Sequence, residues 1–474
     1  MKKGGSLIRF LRSSGIFFLG TVSSKIITFL MLPLYTSLIP TEDLGYYDIS
    51  ITYMNIAVSI IYFEIWSAVL RYMYDSDDEN RKFSSAKSGL TIFGVSSLVF
   101  VAGISILGVV ASVDYWYLIA IYGVMQCLVS FYTFSARGLA RNVDFAISGV
   151  LSVFTNACVN IIQIVVFNMG FTAMYYGYIT GALVQILYLE LRIGILRKTL
   201  GSVFDKEMTK RMLIYSLPLC LNTVAYWMMT GFNKIVINIY LGDSANGLFA
   251  IGNRFGTLIT FVTTCFTYAW QDLSFSKAKD SEDRAAFYSK ACNVYSKFLL
   301  VGMLLLIPVC YWVFEIMING DYQEAKSTIP TFLCVAVVSA ISSFIGNVYY
   351  AIKETKVLFI STVTSAVINA AIVFPLVSHF GLNGANFAAI IGFVCNIILR
   401  SIVLYKKIKF RIEWLVQAAL IVIWVAQFVA FKHLNWLSSI ILLLINVVIA
   451  VVLFRKEIKN IFSKNIPANG ARGE

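Results

Sequence analysis

The chain has 474 residues, 59% of them hydrophobic and only 13% charged, with a formal net charge of +13 and a mean hydropathy of +0.78. A soluble chain of this length has too little interior to hide that much apolar surface, so a water-soluble enzyme or binding module is excluded. The positive charge is scattered over many short loops, which argues against a nucleic-acid surface.

A helix needs about 20 apolar residues to cross the hydrocarbon slab. Fourteen such stretches follow one another: 15–39, 47–70, 88–112, 115–135, 147–167, 171–191, 213–240, 247–270, 291–316, 328–351, 358–377, 381–404, 414–431 and 436–454. The expected fold class is therefore all-α, a polytopic membrane protein. The divide between the third and fourth spans, Ser112-Val113-Asp114, is thin. Charge supports the count. One set of alternate gaps holds Arg9, Arg12, Arg71, Arg81, Lys82, Lys87, Arg137, Arg141, Arg192, Lys198, Lys290, Lys297, Arg400, Lys406, Lys407 and Arg411, among others, whereas the opposite gaps contribute Lys326 and Lys432. Basic loops are retained in the cytoplasm, so both termini of this multi-pass protein are expected there. The first span is too long for a cleavable signal peptide.

The basic linker from Arg192 to Arg211 divides six spans from the next six. Weak echoes join the halves. Leu38 to Tyr47 and Tyr240 to Phe249 each place a glycine, Gly45 and Gly247, four residues after an acidic or hydroxyl position, where it opens the next span. Gly170 to Gly181 has the spacing of Gly381 to Gly392. Two six-span lobes in the same orientation imply a parallel repeat with a cavity between them. The expected division is an N-terminal lobe over 1–200, a C-terminal lobe over 201–410, two appended spans over 411–456 and a cytoplasmic tail over 457–474.

Three cations fall inside spans: Lys25 in the first, Lys234 in the seventh and Arg254 in the eighth. A cation at a helix centre costs about 2.5–3.5 kcal/mol on insertion scales, so each should face protein or water and have a partner. Helical spacing puts Trp227, Gly231, Lys234 and Asn238 on one face. Thr21, Lys25 and Thr28 share another, and Asp48, Thr52, Asn55, Ser59 and Tyr62 form a polar stripe on the second span. The eighth span carries Asn246, Ala250, Asn253 or Arg254, Thr257, Thr260 and Thr264. Facing lipid, such stripes would leave polar groups unsatisfied, so a shared aqueous cavity is expected. Its substrate-binding candidates are Lys25, Lys234, Arg254, Asn55, Asn253 and Trp227, the last with Tyr226 as a platform for sugar faces. Glu64 is the one carboxylate well inside a span. It lies nine residues past Asn55, half a turn from the stripe, where it pairs with Lys25 or Arg71 or carries protons. Asp48 and Glu64 are the candidates for ion coupling.

The eight cysteines lie in spans or at their ends without a C-x-x-C, and the two histidines fall in gaps of the non-basic set, so no metal site is expected. The sequence shows no phosphate-binding glycine loop and no nucleophile elbow. No cofactor and no enzymatic activity are expected.

Tyr215-Ser216-Leu217-Pro218-Leu219, followed by Asn222, Trp227 and Lys234, resembles the start of the second lobe in bacterial polysaccharide repeat-unit flippases, the O-antigen, capsule and exopolysaccharide flippase family. Gly242 to Gly247, Asn253-Arg254, Ala269-Trp270, Pro33-Leu34-Tyr35-Thr36, Gly45-Tyr46-Tyr47 and Arg137 to Asn142 resemble it too. The resemblance implies the multidrug/oligosaccharidyl-lipid/polysaccharide exporter fold and outward movement of an undecaprenyl-diphosphate-linked oligosaccharide by alternating access. It also implies a cationic cavity filled here by Lys25, Lys234 and Arg254 as a point-charge clamp. The implied partners are the lipid-linked oligosaccharide, membrane lipids, and the polymerase and chain-length machinery. One departure stands out: Asn233 precedes Lys234 where relatives carry an acid, so an acid–base pair on that helix is absent. A peptidoglycan-precursor flippase and a multidrug cation exporter of the same superfamily are the alternatives, the latter disfavoured because the deep charges are mainly positive.

Overall fold

The computed structural model describes residues 24–76, 78–277, 284–352 and 354–464. Thr21 and the first part of the first span lie outside them. Every element among the described residues is helical, as a lipid-embedded backbone requires if its polar groups are to be satisfied within each segment. In chain order they are α1 (Ser24–Leu38), then α2 (Thr41–Ile61), α3 (Ile65–Tyr74), α4 (Glu79–Val110), α5 (Trp116–Gly138), α6 (Asn142–Ile161), α7 (Thr172–Ile193), α8 (Ile195–Gly201) and α9 (Lys206–Thr230). There follow α10 (Phe232–Lys277), α11 (Arg284–Met317), α12 (Ile329–Ala351), α13 (Thr355–Ile408), α14 (Trp414–Phe431) and α15 (Trp436–Lys464). A π-turn prolongs α6, and a 3₁₀ segment, Gly320–Thr328, joins α11 to α12.

Two long elements are broken by glycine. Gly242 (φ 84°, ψ −179°) interrupts α10, and Gly381 (φ 57°, ψ −136°) interrupts α13. Both conformations are open to glycine and costly for other residues. On an unbroken helix Leu376 and Gly384 would lie about 12 Å apart along the axis. Instead a Cβ added to Gly384 would sit 1.9 Å from the Leu376 carbonyl oxygen, so the chain doubles back. Among the described residues nine helices are long and apolar enough to cross a membrane, eleven with the two bent pairs α2–α3 and α7–α8. Dividing α10 and α13 at their glycines and adding the short apolar α1 recovers the fourteen spans of the sequence. The thin divide between the third and fourth spans is real: Ser112 and Tyr115 both take positive φ between α4 and α5. Gly384→Ala should lower the thermal midpoint in detergent, by about 1–3 kcal/mol of overpacking, because backbone cannot yield as a side chain can. Gly94→Ala, where nothing lies within 4 Å, should not.

The two lobes repeat each other in their packing. Gly170 and Gly381 both have positive φ. Eleven residues later, a Cβ on Gly181 would meet the Ser152 carbonyl oxygen at 2.5 Å and Asn156 Cβ at 3.3 Å, and one on Gly392 would meet the Ser365 carbonyl oxygen at 3.3 Å and Asn369 Cβ at 3.2 Å. The glycine that closes each echo thus admits the backbone of the preceding span. Spans thirteen and fourteen, α14 and α15, pack on the outside of the second lobe: Asn446 donates to the Leu304 carbonyl (2.7 Å), Trp312 to Ser439 (2.7 Å) and Trp424 to the Pro330 carbonyl (3.0 Å).

The basic loops gather at one end of the bundle. There Lys198 pairs with Glu79 (3.0 Å) and Lys87 donates to the Leu200 carbonyl (3.0 Å), while Arg141 and Arg192 hold Asp144 at 2.7 and 3.3 Å. Arg400, counted in the sequence among the loop cations, does not belong to that set. It is 5% exposed within α13 and donates to Ser342, Ser361 and Thr362 at 2.7–3.1 Å. The apolar stretch ends near 404, but the helix continues to Ile408, and the arginine stays buried because three hydroxyl side chains receive it.

Candidate substrate cavity between the lobes

At the end opposite the basic loops the two lobes meet backbone to backbone. A Cβ on Gly45 would lie 1.7 Å from the Asp243 carbonyl oxygen, and one on Gly247 would lie 2.1 Å from that of Thr41. The two glycines paired in the sequence as an echo are therefore the contact itself, each lobe's glycine admitting the other lobe's helix start. Around it Thr41 and Ser244 share a hydrogen bond of 2.7 Å, and the Tyr322 hydroxyl donates to the carbonyls of Ile39 and Pro40 at 2.9 and 3.0 Å. Asn246, fully buried, donates to the Gly45 carbonyl at 3.1 Å.

Just below this seal Lys234 crosses from α10 to α2. Its Nζ lies 2.8 Å from both carboxylate oxygens of Asp48, and Asn246 approaches the same carboxylate at 3.4 Å. The acid missing beside Lys234 in sequence is thus supplied by the other lobe. Asn233 instead donates to the Ala385 carbonyl (2.7 Å) and accepts from Asn369 (2.9 Å), a structural tie within the second lobe. The Lys234 and Asp48 side chains are 16% and 18% exposed, so the pair is largely but not fully removed from solvent.

Beneath the pair opens a cavity of about 330 Å³. Four of the expected site residues line it: Asn55, Trp227, Lys234 and Asn253. Thr52, Thr257 and Thr260 from the polar stripes join them, and α12 and α13 add Phe332, Ser339 and Asn386. These last three were not legible. Span ten is dominated by apolar residues, and the available signal was the pair Asn383 and Asn386, which exchange hydrogen bonds with Thr331 at 2.8 and 2.9 Å. Trp227 folds over Gly231, where a Cβ would fall 2.1 Å from the indole, so glycine makes room for a flat aromatic wall. Asn55 is oriented by Gln126, which donates to it at 2.9 Å. Among the described lining residues there is no carboxylate.

Other expected residues stand elsewhere. Tyr226 is 45% exposed, packs toward Phe393 with 6.5 Å between ring centres, and is not among the residues lining the cavity. Asn238 donates to Asp243 at the seal. Arg254 does not line the cavity: its neighbour Asn253 takes that face, and the guanidinium lies within electrostatic reach of the first-lobe tyrosines Tyr35, Tyr47 and Tyr122. It forms no ion pair or side-chain hydrogen bond with the described residues. Lys25 stands nearer the basic end, its Nζ 5.5 Å from the centre of the Phe261 ring. Along α10, Arg254 lies about 12 Å from the Asn246 level and Phe261 about 10 Å further, at 1.5 Å per residue. The three cations therefore form a staircase along the seam between lobes, correcting the single clamp expected from the sequence.

Glu64 also departs from expectation. Phe63 and Glu64 both adopt positive φ, 53° and 51°, and break the second span between α2 and α3. A helical wheel run from Asn55 through this break is invalid. Glu64 lies near the hydroxyls of Thr223 on α9 and of Ser67, whereas Arg71 pairs with Asp75 at 3.3 Å. No pair with Lys25 or Arg71 forms among the described residues.

The family model for "Polysaccharide biosynthesis protein" matches residues 10–270, more than half of the chain. A curated relative, the probable low-salt glycan biosynthesis flippase Agl15 of Haloferax volcanii, is 23% identical over 252 residues, 51% of this chain. The chain spans about half, 52%, of that relative's length. Among solved structures, the lipid II flippase MurJ in an inward closed conformation superposes with a TM-score of 0.71 at 13% identity, covering 94% of this chain and 100% of that one. An inward-facing multidrug resistance MATE family transporter of the MOP superfamily gives 0.66 at 15% identity, covering 84% and 95%. At such identities the likeness shows the fold alone.

Proposed function

Because the chain belongs to the polysaccharide biosynthesis protein family, we propose that it is a flippase carrying undecaprenyl-diphosphate-linked oligosaccharide repeat units from the cytoplasmic to the outer face of the bacterial cytoplasmic membrane. The observation that carries this reading is the cation staircase of Lys25, Arg254 and Lys234 beside a polar cavity without a lining carboxylate. Such a seam attracts a diphosphate and repels the cationic cargo of a drug exporter. Trp227, Asn55 and Asn253 offer the sugar an aromatic face and amide hydrogen bonds. The basic end lies in the cytoplasm by the positive-inside rule. The cavity in this state is therefore shut from the outside, with the lobes moving against each other to expose it there. Depleting the protein should make undecaprenyl-diphosphate-linked repeat units accumulate on the cytoplasmic face, detected by mass spectrometry of extracted lipids. Accumulation of the peptidoglycan precursor instead would assign the alternative cargo, and accumulation of neither would refute the reading.

A further inference from the structure

The ion pair between Asp48 and Lys234 has two addresses at once. Lys234 belongs to the cavity wall, and Asp48 belongs to the seal above it, on the opposite lobe. Asp48 has no other ion pair among the described residues, so Lys234 is the cation that holds its charge across the seam, with Asn246 at 3.4 Å as the weaker contact. The seal is also incompletely satisfied: the side-chain oxygen of Asn246 is buried without a hydrogen-bond partner among the described residues. A closed state with an unmet acceptor is less favourable than one with every group paired, as suits a contact that must open.

We propose that Asp48 is a placeholder anion for Lys234, and that the phosphate of the cargo displaces it, so that binding in the cavity releases the latch between the lobes. The inference rests on the flippase reading above and adds the step that couples occupancy to opening. A lysine ammonium has three donors and no fixed plane, so it exchanges one oxyanion for another without loss of geometry. When its donors turn down to a phosphate, Asp48 keeps the single long contact to Asn246, and Thr41, Ser244 and the paired glycines are left to hold the seam. Cargo without the phosphate cannot compete, which makes the latch a specificity element: sugar alone occupies the cavity without opening it.

Closure is read by disulfide formation in the full-length protein in nanodiscs bearing Thr41→Cys and Ser244→Cys, whose parent hydroxyls lie 2.7 Å apart. Undecaprenyl diphosphate should reduce the cross-linking rate several-fold, while undecaprenol, the same lipid without phosphate, should not. Asp48→Asn should slow cross-linking in the absence of lipid and bind undecaprenyl diphosphate about tenfold more tightly, since the competing anion is gone; tenfold corresponds to about 1.4 kcal/mol. Lys234→Gln should slow cross-linking and lose the response to the lipid. The exchanged pair Asp48→Lys with Lys234→Asp should restore the cross-linking rate, a rescue that separates loss of the latch from misfolding. If wild type binds the lipid but Asp48→Asn binds no tighter and cross-links at the wild-type rate, the latch is wrong and the cargo reading stands. If folded wild type fails to bind undecaprenyl diphosphate at all, the cargo reading falls and the latch with it.

Discussion

Lys234→Glu should abolish export while leaving membrane insertion intact, and Lys234→Ala should reduce it by about 10- to 100-fold. A charge-assisted hydrogen bond to a buried anion contributes about 1.5–3 kcal/mol, which corresponds to roughly that range in affinity. The reversal is worse for a local reason: a glutamate would face Asp48 at the seal and the diphosphate in the cavity, so it repels on both sides. Arg254→Ala should be milder, because Arg254 does not line the cavity. Lys25→Ala should act on loading from the basic end. Complementation of a flippase-deficient strain at matched protein level checks the series. Full activity of Lys234→Glu would remove the cavity from the transport path.

Glu64→Gln should retain at least half of the export activity in cells with a normal membrane potential. A diphosphate diester carries about two negative charges, and each charge moved outward across 100 mV gains about 2.3 kcal/mol. That drive is enough to run the cycle if the lysines and arginine that accompany the phosphate stay with the protein. An obligatory proton carrier is then unnecessary. Glu64 sits at the break of the second span near Thr223, outside the cavity lining, and Asp48 is paired with Lys234 in the closed state. Collapse of the potential with valinomycin and potassium should slow export far more than Glu64→Gln does. A folded but inactive Glu64→Gln protein in polarised cells would place proton coupling at this carboxylate.

The sequence made the spans, their number and the lobe repeat legible, because lipid leaves so few ways to satisfy a backbone. Hydropathy, alternate basic gaps and the Gly45 and Gly247 echo all reported the same arrangement. The candidate site was legible where the helical phase is kept: the Trp227, Gly231 and Lys234 face, carried from α9 to α10 through a Gly231 of helical φ and ψ, and the Thr257 and Thr260 face meet in one cavity. It failed where a local conformation has no periodic signature. Glu64 was misplaced because two consecutive residues with positive φ reset the helical phase. Arg254 and Asn253 stood one position apart, and only the way α10 is turned in the assembled bundle decides which of them faces the cavity. Arg400 looked like a loop cation because its neutral partners, Ser342, Ser361 and Thr362, lie on other spans about 40 to 60 residues away in sequence. The Asp48–Lys234 pair, 186 residues apart, belongs to the same class. Each residue is conspicuous alone, but their meeting is a property of how the lobes close.

The central claim, that a lipid-linked diphosphate passes along the seam between the lobes, is tested most directly in proteoliposomes. Purified protein is reconstituted with fluorescent undecaprenyl-diphosphate-linked oligosaccharide, and the lipid reaching the opposite leaflet is read by quenching with a membrane-impermeant reagent. Wild type should move the lipid, faster when the potential favours outward movement of negative charge, and Lys234→Glu at equal reconstitution should not exceed protein-free vesicles. Equal rates for wild type, Lys234→Glu and empty vesicles would contradict the account.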